Sequence, residues 1–171
     1  LLERWHEFYT AMAARFVEVD PKKRLKWAGP DMSARSSISA RLMETWAHGQ
    51  EVFDQLGVAR QNTDTIRSIA VLGTNTFGWT YATRGETPPG PMPFVKLTAP
   101  SGAVWEFGEA SDDERIEGAA ADFCQVVTQV RNIADTDLQV TGAVANDWMS
   151  KAQCFAGAPE TPPAPGSRFT R

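Results

Sequence analysis

The sequence lacks any apolar run near the ~20 residues that a bilayer-crossing helix needs. A membrane span is therefore not expected. It lacks a basic tract too. The one cluster, Pro21-Lys-Lys-Arg-Leu-Lys26, is short and sits between helical patterns, and the net charge is −4. No nucleic-acid partner is expected on that balance. Cysteine occurs twice, as Cys124 and Cys154, each inside a helical pattern. Both read as buried thiols in a reducing compartment, and the expected location is the cytoplasm. There is no Gly-rich phosphate loop, no nucleophile elbow and no four-cysteine metal site. The opening Leu1-Leu-Glu-Arg-Trp5 reads as amphipathic helix and not as a secretory leader.

What the chain does have is enough apolar residue for a core. Of its 171 residues 42% are hydrophobic, with six Trp and nine Phe among them. That length suits one domain or two small ones. Leu1, Trp5, Phe8, Met12, Phe16 and Val19 recur at spacings of three and four, which predicts a first amphipathic helix. The pattern starts in phase with no capping residue, so the chain is expected to be the later part of a longer polypeptide. Asp20-Pro21 ends this helix, because the residue before proline disfavours helical backbone. A polar loop runs to Met32 with Gly29-Pro30 as its turn. Ser33 then suits the N-cap of a second helix, and Gly57 its stop. The apolar stripe of that helix is read as Ile38, Leu42, Trp46, Phe53 and Leu56.

A third helical segment is expected from Asn62 through Tyr81. Gly73 and Gly78 oppose it by about 1 kcal/mol each relative to Ala. Residues 85–93 are rich in Pro and Gly and read as loop. The period then changes to two. Phe94 to Ala99 and Val104 to Gly108 read as strands joined at Pro100-Ser-Gly102, with further short strands at Glu114 to Glu117 and Leu138 to Thr141. Helices are expected over residues 119–131 and from Val144 to Phe155. The predicted fold class is α+β: part of a helical bundle over residues 1–58, an α+β unit over 59–157, and a disordered Pro-rich tail over 158–171.

One constellation carries chemistry. In Ala40-Arg-Leu-Met-Glu-Thr-Trp-Ala-His-Gly-Gln-Glu51, Glu44 and His48 stand one turn apart on the polar line Ser37, Arg41, Glu44, His48, Glu51 and Gln55. A carboxylate and an imidazole so placed can grip one divalent ion. The bland reading is a hydrogen-bonded pair on a solvated face. For His6 it is a polar-face histidine, and for Trp46, Trp148 and the two cysteines it is core. Arg131, at the end of a predicted helix, is there explained by the helix dipole.

These words, with Met32-Ser-Ala-Arg35 before them and Gly57 after, resemble the DinB-like metal-binding superfamily. More narrowly they resemble an uncharacterised branch of proteins related to mycothiol-dependent maleylpyruvate isomerase. Phe94-Val-Lys-Leu-Thr-Ala-Pro-Ser-Gly102, Asp122-Phe-Cys-Gln-Val-Val-Thr-Gln-Val-Arg131 and the stretch from Trp148 to Gly157 extend the likeness over nearly the whole chain. The resemblance implies a four-helix bundle whose metal is held by a histidine of an early helix and by Glu-x-x-x-His of the last. Glu44 and His48 match the second motif. The early histidine would lie upstream of Leu1, since the Arg-Trp-His-Glu-Phe surroundings of His6 do not match. Glu51 stands where relatives often carry Asp and would orient a ligand.

The resemblance further implies a divalent metal with zinc the expected ion, a low-molecular-weight thiol, and a small-molecule substrate. Arg131 is the candidate for an arginine of the second domain that assists catalysis. The function so implied is a metal-binding, thiol-dependent isomerase or transferase. The alternative from the residues is a non-catalytic domain that binds a small ligand or a partner, with no metal chemistry.

Overall fold

A computed structural model describes residues 1–26 and 31–168. The expected Gly29-Pro30 turn lies outside the described residues. Among these, six α-helices and two sheets give an α+β fold. Helix α1 spans Leu2–Glu18 and none of its residues is buried. A two-stranded ribbon follows, β1 (Arg24–Leu25) antiparallel to β2 (Met32–Ser33). Strands of two residues leave no periodic trace, so the ribbon stands where the sequence pattern reads as polar loop. Helix α2 runs from Ala34 to Leu56 with the expected caps. Ser33 Oγ accepts from the Ser36 backbone N–H at 3.1 Å. Gly57 adopts left-handed backbone, φ 65°, which a side chain would resist.

The buried face of α2 differs from the expected stripe. Met43, Trp46, Ala47 and Gln50 are buried, while Leu42 and Leu56 are exposed. Ala and Gln add little weight to a hydrophobic pattern, so the enclosed side was under-read. This face packs on α3, Arg67–Asn75. The single helix expected over 62–81 is broken: a 3₁₀ turn at Asp64–Ile66, then α3, then α4 at Phe77–Ala82. The break is at Thr76, whose hydroxyl donates to the Leu72 carbonyl at 2.8 Å. Gly73 is needed for packing: a Cβ there would sit 2.9 Å from Val127 Cγ2.

The main sheet has the order β4-β3-β5-β6. Strands β3 (Phe94–Thr98) and β4 (Val104–Phe107) form the expected hairpin. Strand β5 (Arg115–Ala119) lies parallel to β3, and β6 (Gln139–Thr141) antiparallel to β5. Helix α5 (Ala120–Val127) packs on α3, and α6 (Ala143–Met149) on β6. Both end earlier than expected. After α5, Gln129 takes φ 57° and its amide donates to the Ala152 carbonyl at 2.9 Å, which turns the chain out of the helix. One buried cluster then joins Met43, Trp46 and Ala47 of α2 to Ile69, Val95, Leu97, Phe123 and Trp148. Trp148 meets Phe77 and Phe123 edge-on, at 5.1 and 5.9 Å between centroids.

Residues 158–168, expected to be disordered, lie along the body. Glu160 N–H donates to Gln153, while Arg84 and Gln129 donate to the Glu160 carbonyl and Asn132 to that of Pro163. A Pro-rich segment keeps its carbonyls open for such donors and has little backbone freedom to lose.

Candidate functional site

Helix α2 carries the Glu44/His48 pair on its solvent side. His48 Nε2 lies 3.5 Å from a Glu44 carboxylate oxygen, and Nδ1 lies 3.6 Å from one of Glu51. The imidazole is thus flanked by one carboxylate on each side. It is open to water, with three quarters of its side-chain surface (75%) accessible. Arg168, from the tail, reaches Glu51 at 2.5 Å. That hydrogen bond is the main influence holding the Glu51 carboxyl below its ordinary pKa, against a smaller opposing effect of burial.

Glu44 also borders a groove of about 730 Å³. Met12 and Phe16 of α1, Met43 of α2, Leu72 of α3, Trp79 of α4 and Phe155 form its apolar walls. Ser37, Arg41 and Glu44 run along the α2 edge at helical spacing, and Lys26 and Asp31 close the rim on the ribbon side. The polar line read from the sequence therefore splits. Its first half lines the groove, and its second half, His48 and Glu51, stands beyond it. His6 is on exposed α1 with its ring against Tyr9. No group of three or more His, Cys, Asp or Glu among the described residues could hold a metal ion.

Arg131 is not at a helix end, because α5 stops at Val127. The dipole explanation therefore does not apply. Its guanidinium makes a bidentate pair with Asp54 of α2, 2.6 Å on each arm, and both side chains are only 10% exposed. Burial alone would raise the Asp54 carboxyl. Hydrogen bonds from Arg131 and Gln50 outweigh it and hold the pKa below the ordinary value. Asp54 was missed in the sequence, as the two partners lie 77 positions apart. Arg131 does not line the groove.

The remaining candidates fall in the core. Trp46 is buried and donates from Nε1 to Asn62 at 3.0 Å, and Trp148 is fully enclosed. Cys124 and Cys154 are buried and form no disulfide. Burial pushes both thiols well above their ordinary pKa, so they are unreactive as nucleophiles. Cys154 nevertheless reaches the groove wall. No helix among the described residues is long and apolar enough to cross a membrane.

Two proteins of Mycobacterium tuberculosis, from different strains and each described as uncharacterized, are 42% identical to this chain over 159 residues. The match covers 93% of this chain and 62% of each relative. The chain thus spans less than two thirds of the length of these relatives. No solved structure matches significantly. Residues 1–53 match the mycothiol maleylpyruvate isomerase N-terminal domain. That segment holds α1, the ribbon and most of α2 with Glu44 and His48, and this part of the chain is similar to that domain.

Proposed function

We propose that the whole protein is a metal- and thiol-dependent isomerase or transferase acting on a small electrophilic substrate. The observation that carries the reading is Glu44 beside His48 on α2, with Glu44 at the edge of a roomy apolar groove. One imidazole nitrogen and one carboxylate suit a zinc ion, and the two side chains fit as part of its ligand set. The described residues do not complete that set. In this reading the further ligands come from other parts of the whole protein. When bound, such an ion lowers the pKa of a coordinated thiol and yields a thiolate at neutral pH.

The chain's own residues have distinct tasks in this scheme. Glu51 lies 3.6 Å from His48 Nδ1, and its charge favours the ring orientation that leaves Nε2 on the Glu44 side. Arg131 is a positioning residue: through Asp54 it ties the segment after α5 to the last turns of α2. The unit over 59–157 contributes Leu72, Trp79 and Phe155 to the groove walls, an apolar bed for the body of the substrate. The cytoplasm, where both thiols stay reduced, is the proposed location.

The test is metal content. Full-length protein loaded with zinc should hold one ion per chain, and His48→Ala should lose it while keeping its circular dichroism and melting temperature. Equal zinc in wild type and variant rejects the assignment. A second reading, a binder of small apolar ligands without metal chemistry, is favoured by the groove walls alone. A ligand that copurifies with metal-free protein would select it.

A further inference from the structure

The groove has a polar edge and an apolar floor, and its size is informative. About 730 Å³ lies within the ~300–1,000 Å³ of pockets that enclose drug-sized ligands. An acid of only a few carbons would leave most of it to water. Met12, Met32 and Met43 contribute flexible, polarizable side chains that adapt to varied apolar shapes. Trp79 and Phe155 add flat aromatic surface.

At the α2 edge, Ser37 and Arg41 are one turn apart and face the same space. Among the described residues Arg41 is in no ion pair and the Ser37 hydroxyl makes no hydrogen bond. A guanidinium fork and a hydroxyl one turn apart can together hold a carboxylate. The rim also carries Lys26, Asp31 and Glu44, and the Glu44 carboxylate is turned to His48 at 3.5 Å.

We propose that this groove binds an amphiphilic carboxylic acid, with its head on Arg41 and Ser37 and its extended apolar body on Met12, Phe16, Trp79 and Phe155. This goes beyond the metal reading and does not depend on it. The head is held by α2 side chains other than Glu44 and His48.

The probe is parinaric acid, whose fluorescence rises in apolar surroundings, titrated into the chain in the presence of a chelator. Saturation at one probe per chain is expected. Arg41→Gln should weaken the acid about fivefold, as for loss of an exposed charge pair, and leave its methyl ester unchanged. Ala40→Trp should block the groove and abolish binding. Thr45→Trp serves the same purpose should that variant misfold by circular dichroism. His48→Ala should bind the acid like wild type. Acid and ester bound equally, or binding that survives a folded groove-blocking variant, overturns the proposal. The second result would put the probe on the exposed face of α1. Binding that requires zinc or His48 also overturns it, by moving the head to the metal.

Discussion

Along α1 no residue is buried, and Trp5, Phe8 and Val17 keep 58%, 61% and 87% of their surface in water. In the later part of the chain Ile69, Val95, Leu97, Ile116, Phe123 and Ala145 are wholly enclosed. Both regions show helical or strand patterning of similar clarity. Only the second uses it within this chain. Apolar periodicity thus announces a face that wants covering, and does not say what covers it. Helix α2 stands between the two regimes, with Met43, Trp46 and Ala47 in the core and Leu42, Val52 and Leu56 exposed.

The contrast should break most visibly under truncation of matched aromatics. Phe123→Ala removes an enclosed ring against Trp148 and Gly73 and should cost about 4 kcal/mol of unfolding free energy. Phe8→Ala, from an equally regular position on α1, should stay within about 0.5 kcal/mol, as an exposed substitution does. Urea denaturation of the two variants measures both. Equal losses would mean that α1 is buried in solution, and the comparison would fail.

The next effect is at the seam. Arg131→Ala leaves the Asp54 carboxylate nearly enclosed without its partner and should cost about 3 kcal/mol. Asp54 has a depressed pKa in the folded chain. Its contribution is therefore complete above the ordinary carboxylate pKa and fades as pH falls through the lower folded value. Asp54→Asn should flatten the acid limb of the stability curve and leave the neutral-to-alkaline limb parallel to wild type. A variant that keeps the full acid-limb slope assigns that slope to other carboxylates. Under the proposed positioning role, Arg131→Lys should restore part of the stability that Arg131→Ala loses.

The sequence disclosed what local chemistry decides. Ser33 and Gly57 cap α2 because a hydroxyl acceptor and a left-handed glycine are properties of single residues. The β3–β4 hairpin followed from its alternation and turn, and the Glu44/His48 proximity from helical spacing alone. What stayed hidden depends on distant partners. Thr76 breaks a helix that periodicity runs through, and Gln129 ends α5 by bonding Ala152 and Glu160. By local sequence Arg131 reads as a helix-end cation, and its partner Asp54 is 77 positions away. The groove is also non-local, since α1, α2, α3, α4 and Phe155 each supply one wall.

The smallest expected effect sharpens the comparison at the chain's far end. Arg168 brings the Pro-rich tail back to Glu51 on α2, so it links the well-enclosed part to the open one. Both side chains stay well exposed, at 43% and 44%, and a pair of that kind contributes less than about 1 kcal/mol. Salt weakens it further by screening. Arg168→Ala should therefore leave the melting temperature within about 2 °C of wild type, given a domain of this size. The tail has its own anchors farther back: Gln153 and Gln129 at Glu160, Asn132 at Pro163, and Asp135 at Gly166. Amide exchange at Glu160 should then stay slow in the variant, while the Glu51 carboxyl returns toward its ordinary pKa as its main hydrogen-bond donor is lost. Fast exchange at Glu160 would show that the single ion pair, and not the series of backbone anchors, holds the tail down.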